Sequence, residues 1–255
     1  MPTSRSAFGI TWFSNKTMRA KSIKSVFLAL IFFMGVFPVL SSSGSQRSLI
    51  PAGEFLMGTE EGTEMEQPVH RVRLKEFYID RYEVSNDEYQ TFRPDHPRSA
   101  LSACDQCPVT IVNWHDADKF CRHRGGRLPT EAEWERAARG TQGFAFAFGA
   151  TPDRAEGHFG LPFKTGAIPV NSPPPNDFSL HHMTGNVWEW VNDWSASYPS
   201  GIVDNPTGPS VGDKKILRGG SWYSAAYYLN VGLRFELNPV VKLNSIGFRC
   251  VSSQP

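Results

Sequence analysis

The chain has 255 residues, a formal net charge of +1, 22 glycines, 19 prolines and 7 tryptophans. That length suffices for one domain with a sizeable core, and the composition points to a loop-rich domain packed on aromatic rings, not a helical bundle. A near-neutral charge without any basic run excludes nucleic acid as a partner.

At the N-terminus Arg19, Lys21 and Lys24 precede an apolar run over residues 26–40, and a small polar stretch over 41–45 follows. This charged, apolar, small order is that of an export signal. Met18 is a second candidate start, which would place a short positive segment directly before the apolar run. The run holds about 15 residues, short for a spanning helix, and Pro38 interrupts its end. Residues 1–45 are therefore expected to be a signal peptide or, alternatively, an N-terminal membrane anchor through 26–40. The protein is expected to be exported, to the periplasm or an equivalent space.

The first element, over 49–58, reads as a strand entering a turn, with Pro51 at its edge. An acidic loop over 59–67 precedes two strand-like stretches, 69–74 and 77–79. Ser85 and Glu88 then form a capping box, with Val84 placed to staple against Tyr89. Export permits disulfides, and four cysteines allow three full pairings. Cys104 and Cys107 form a C-x-x-C with no second such pair, which argues against a four-thiolate zinc site. Asp105 would raise a neighbouring thiol pKa, and Pro108 keeps Cys107 out of the helical conformation. A local disulfide is the expected state of that pair, ahead of a redox couple.

A second helix is expected from Asn113, with Trp114, Ala117, Phe120 and Cys121 on one face and Gly125–Gly126 ending it. A third starts at the Thr130 cap, with Glu133 completing the box. It turns Trp134, Ala137 and Ala138 inward, adds a Glu135–Arg139 pair and stops at Gly140. From 141 to 182 the pattern dissolves into Gly, Pro and aromatic residues. Short strands over 187–190, 215–218, 232–237 and 246–251 complete the chain.

Four strings carry a resemblance: RLPTEAEWE in 127–135, GNVWEW in 185–190, RGGSW in 218–222 and GFRC in 247–250. In this order they resemble the formylglycine-generating enzyme, or sulfatase-modifying factor, family. The resemblance implies an α+β, loop-rich, C-type-lectin-like fold over residues 48–253 and a disulfide between Cys121 and Cys250. It also implies that the irregular 141–182 span is held in part by calcium. Carried over from the family, the calcium ligands are Gly185, Val187 and Glu189. His182 stands where an Asn or Asp is expected, with Asp177 as an upstream substitute. The competing role for Glu189 is an ion pair with Arg249 or Arg218.

The family's oxidases bind copper through two cysteines just after the GGS loop; here the matching positions are Ser224 and Leu229. A hydroxyl is too hard and too basic to replace a thiolate toward Cu(I), and an isobutyl group cannot coordinate. Ala225 replaces a family His and Ser245 a family Asn, whereas Trp188, Ser221 and Tyr228 match pocket positions. Copper is therefore not expected. The candidate groove consists of Trp188, Ser221, Trp222, Ser224 and Tyr228, without an assigned catalytic residue. The histidines His70, His96, His115, His123, His158, His181 and His182 show no metal-ligand spacing.

Three functions follow as expectations. The first is a non-copper accessory or recognition protein binding a polypeptide or small ligand in the former active-site groove. The second is an oxidoreductase or maturation enzyme of the same compartment, of the formylglycine-generating or siderophore-maturation type, working through other residues. The third is a structural envelope component.

Overall fold

The computed structural model describes residues 46–254; the expected leader, 1–45, lies outside the described residues. In chain order the elements are β1 (Arg47–Ile50), β2 (Gly53–Met57), β3 (His70–Leu74), β4 (Phe77–Asp80), α1 (Asn86–Phe92), α2 (Trp114–His123) and α3 (Glu131–Arg139). There follow β5 (Trp188–Trp194), β6 (Ile202–Asp204), β7 (Lys215–Arg218), β8 (Phe235–Leu237), β9 (Ile246–Gly247) and β10 (Val251–Ser252). The class is mixed α+β, as expected.

Prolines and long-range pairing redraw two of the expected strands. Pro51 has no N–H to give a ladder, so the 49–58 run breaks there into β1 and β2, which belong to different sheets. The 246–251 run likewise splits into β9 and β10. One sheet orders its strands β1-β4-β10, a second β2-β3-β6, and the third β8-β7-β5-β9. The C-terminal segment thus ties the first sheet to the third. β3 shows the alternation of a half-buried strand: His70, Val72 and Leu74 face inward while Arg71 and Arg73 reach Glu54 on β2.

The helix ends follow their local signals with one exception. Thr130 and Glu133 make the full box on α3, and Asn113 with Asp116 makes another on α2. On α1 the expected box is half-made. The Ser85 hydroxyl accepts from the Glu88 N–H at 3.4 Å, but the Glu88 carboxylate goes to Arg124 at 3.0 Å. A charged partner outcompetes the backbone N–H that the box needs. Val84 and Tyr89 pack in one buried cluster, as the staple requires.

Two apolar clusters fill the interior. One gathers Ile50, Val72, Ile79 and Val191 around Trp134 of α3; the other sets Tyr89, Phe120 and Phe248 around Trp190 of β5. Cys121 of α2 is bridged to Cys250, and Cys104 to Cys107; no described cysteine is free. The irregular 141–182 span is tied down by side chains bonding to backbone. Asn176 Nδ2 donates to the Ala137 carbonyl at 2.9 Å at the end of α3, while its Oδ1 accepts from Phe178 and Leu180 N–H groups. The stacked rings of Phe146, Phe148 and Phe159 add apolar contact.

Candidate functional site

The 218–222 string forms a floor that only glycine permits. Gly219 and Gly220 have φ of +93° and +75°, a left-handed region that L side chains rarely adopt. A Cβ on Gly219 would lie 3.0 Å from the Trp134 ring, and one on Gly220 would lie 2.8 Å from Leu229 Cδ2. The same Gly220 position is 3.5 Å from Ser224 Cβ, so Ser224 and Leu229, far apart in character, converge on one point.

Ser224 also lines a cavity of about 270 Å³. Trp188 of β5 and Phe235 of β8 form one wall, with ring centroids 5.7 Å apart, and Leu237, Leu243 and Ile246 extend it. Ser224, Ser245 and Tyr228 give it hydroxyls, and no charged side chain among the described residues lines it. Tyr228, Phe235 and Leu243 are each close to half exposed, so the mouth is apolar and open. Of the expected groove residues, Trp188, Ser224 and Tyr228 line the cavity. Ser221 and Trp222 do not: both are fully buried. Ser221 packs against Ser224, and the Trp222 indole N–H donates to the Phe163 carbonyl at 2.8 Å. Phe235, Leu237 and Leu243 escaped the sequence reading, because nothing local marks them as neighbours of a loop that precedes them in the chain.

The copper positions hold no donor set for that ion. Ser224 Oγ already accepts the Ser221 N–H at 3.0 Å and shares a hydrogen bond with Ser221 Oγ at 3.2 Å. Leu229 is a fully buried hydrocarbon, and every described cysteine is in a disulfide. Soft Cu(I) wants thiolates, so the residues do not fit it.

Of the carried-over calcium ligands, Glu189 has its carboxylate already engaged. Glu189 is fully buried; Arg249 holds both its oxygens at 2.8 and 2.7 Å, and Trp134 Nε1 donates to Oε2 at 2.8 Å. The competing ion-pair role is therefore the one its carboxylate fills. The Arg249 guanidinium also gathers the carbonyls of Asp80, Arg81 and His181. His182 has φ +54° and is buried, and its Nε2 meets the Pro169 carbonyl at 3.1 Å. Burial and the nearby Arg249 hold its pKa well below the usual histidine range, so it is neutral. Asp177 does not come to its aid: that carboxylate accepts from the N–H and hydroxyl of Thr141. No group of three or more described His, Cys, Asp or Glu residues is arranged to hold a metal ion.

The buried charges have a structural logic instead. Arg218 reaches Glu135 and Glu131, Arg139 reaches Glu135 at 2.7 Å, and Arg234 holds Glu131 at 2.9 and 2.7 Å. This network joins α3 to β7 and the approach to β8. It takes up Glu131 and Glu135 of RLPTEAEWE and Arg218 of RGGSW, while Arg127 and Glu133 pair with each other.

Comparison with known proteins agrees with this architecture. The sulfatase-modifying factor enzyme 1-like domain pattern matches residues 36–254. The formylglycine-generating enzyme of Mus musculus is 29% identical over 274 residues, covering 80% of this chain and 74% of that protein. The inactive C-alpha-formylglycine-generating enzyme 2 of the same organism is 30% identical over 272 residues, covering 80% and 84%. The solved structure of Treponema denticola variable protein 1 superposes with a TM-score of 0.74 at 24% identity, over 82% of this chain and 95% of that one, a likeness of fold. This chain belongs to the sulfatase-modifying factor enzyme 1-like domain family.

Proposed function

We propose that this family member is an exported, non-copper recognition protein, which binds a peptide by taking an uncharged side chain into the cavity lined by Trp188, Ser224 and Tyr228. One observation carries this reading. The aromatic and aliphatic walls around Trp188 and Phe235 are intact and open, while Ser224 and Leu229 stand where metal-binding thiols belong. An uncharged, apolar pocket with a few hydroxyls favours an apolar side chain, and the hydroxyls of Ser224, Ser245 and Tyr228 orient its polar neighbours. Export is supported by the two disulfides, which persist in oxidising compartments. A relative whose name marks it as inactive is in keeping with a role outside oxidation.

The test pairs binding with turnover. Peptides carrying a central Phe, Leu, Cys or Asp are titrated against purified protein, with tryptophan fluorescence as the readout, and oxygen uptake is followed with the Cys peptide and Cu(I). Phe and Leu peptides are expected to bind, Asp peptides to bind at least about tenfold more weakly, and Trp188→Ala to remove the difference. Oxygen consumption with conversion of the Cys peptide to an aldehyde would overturn the reading in favour of an oxidase.

A further inference from the structure

A second cavity, of about 330 Å³, lies where the end of β5 meets the first turn of α3. Trp194, Tyr198, Pro199 and Pro209 give it largely apolar walls, and Asp193 stands among them. Asp193 is only 5% exposed. Its Oδ2 accepts the Glu131 N–H at 2.9 Å, capping α3, but its Oδ1 has no hydrogen-bond partner among the described residues.

Among the described residues Asp118 Oδ1 is also without a hydrogen-bond partner, but Asp118 pairs with Arg122 through its other oxygen. The neighbouring buried acids Glu131, Glu133, Glu135 and Glu189 each hold an arginine. Glu83, which lacks one, has both oxygens occupied by Asn186 and the Val187 N–H. Asp193 has no ion pair among the described residues; Lys215 feels its charge, which opposes the lowering of the lysine pKa by burial, but makes its hydrogen bond elsewhere. Arg234 is held by Glu131, and Arg127 by Glu133. Lys215 donates to the Asn192 carbonyl at 2.6 Å, with its ammonium 4.0 and 3.9 Å from the ring centroids of Trp114 and Trp194. Of the other titratable groups in the wall, Tyr198 donates its hydroxyl to Glu131 at 3.1 Å, and His70 packs on the Tyr198 ring.

We infer that this cavity is a binding site for an organic ammonium ion, with Asp193 as the counter-ion and the Trp194 side of the cavity as its apolar wall. The free carboxylate oxygen asks for a donor, and a cation answers it best because Arg234 and Arg127 are held by other acids and the Lys215 ammonium bonds the Asn192 carbonyl instead. A metal such as calcium wants six to eight oxygens, which proline and indole walls do not supply. An alkyl- or arylammonium offers N–H donors to Oδ1 and carbon to those walls. Proton linkage follows. Burial first, then the Glu131 charge, pushes the Asp193 carboxyl up to about 7; Glu133 adds to the rise, while the bond from the Glu131 N–H and the Arg234 charge oppose it. The cation binds the ionised form, so its uptake releases a proton, and affinity falls as pH drops below that value.

Benzylammonium, N-acetyl-lysine methylamide and neutral benzyl alcohol are titrated calorimetrically against the full chain at pH 8 and pH 6. At least one ammonium probe is expected to bind at pH 8, with affinity about tenfold lower at pH 6. The arylamine binding alone points to free amines, and the lysine derivative binding points to protein lysines; both support the site. Asp193→Asn keeps an acceptor for the Glu131 N–H and is expected to weaken the ammonium probe at least about tenfold at pH 8. Absence of binding by both ammonium probes overturns the proposal, as does equal binding of benzyl alcohol, or affinity indifferent to pH. The wild-type arms stay decisive even if the variant does not fold.

Discussion

Glu189 shows at single-residue scale how a site shared in sequence is settled by packing. The GNVWEW string presents a glutamate that sequence alone assigns equally to calcium or to an arginine. Arg249, 60 positions later, answers with two hydrogen bonds in a volume that excludes water from both groups. No local pattern could have paired them, because the contact depends on β5 and β9 lying side by side. A buried pair of this kind is costly to break on one side, since the remaining charge keeps its desolvation without its partner. Arg249→Met should therefore lower stability by roughly 3–5 kcal/mol, read as a fall in the urea midpoint with little change in slope. The double change Glu189→Gln with Arg249→Met should recover part of that loss. If the single variant unfolds at the wild-type midpoint, the pair is not holding β5 to the C-terminal segment.

At the scale of elements, the helices were readable and so were some strands: 69–74, 77–79 and 215–218 return as β3, β4 and β7, but other strand runs divide. Helix caps are decided within four residues, so Thr130 with Glu133 could be read directly from the sequence, and the structure repeats it. Ser85 carried the same kind of signal, yet its box is incomplete, because Glu88 finds Arg124 from the end of α2. Strand boundaries depend on partners far along the chain, which is why the 49–58 and 246–251 runs each divide between two sheets. The two caps make a paired prediction. Thr130→Ala removes a hydroxyl that accepts the Glu133 N–H at 3.2 Å in a buried end, and should cost about 1–2 kcal/mol. Ser85→Ala should cost less, a few tenths of a kcal/mol, because Asp87 Oδ1 already accepts the same Glu88 N–H at 2.8 Å. Chemical denaturation of both variants gives the ranking; equal losses would mean that the Asp87 contact does not substitute.

Across the whole molecule, the family strings announced the architecture, while the cavity had to be assembled from distant parts. Trp188, Ser224 and Tyr228 came from recognisable motifs; Phe235, Leu237 and Leu243 joined them only once β8 paired with β7. The same long-range closure governs stability. β1 and β10 flank β4, so the first and last described strands share one sheet, and the Cys121–Cys250 bridge fastens that closure across 129 positions. The Cys104–Cys107 bridge spans a separation of only 3. In the chain-entropy picture the long loop contributes about 4–5 kcal/mol and the short one about 2 kcal/mol. Removing Cys121 and Cys250 together as alanines should therefore lower the thermal midpoint more than removing Cys104 and Cys107 together. The difference should widen because the first pair is fully buried and leaves a cavity. Differential scanning calorimetry of the two double variants checks the order. A larger fall from the Cys104–Cys107 pair would mean that the 104–107 turn, not the chain closure, limits the stability of the fold.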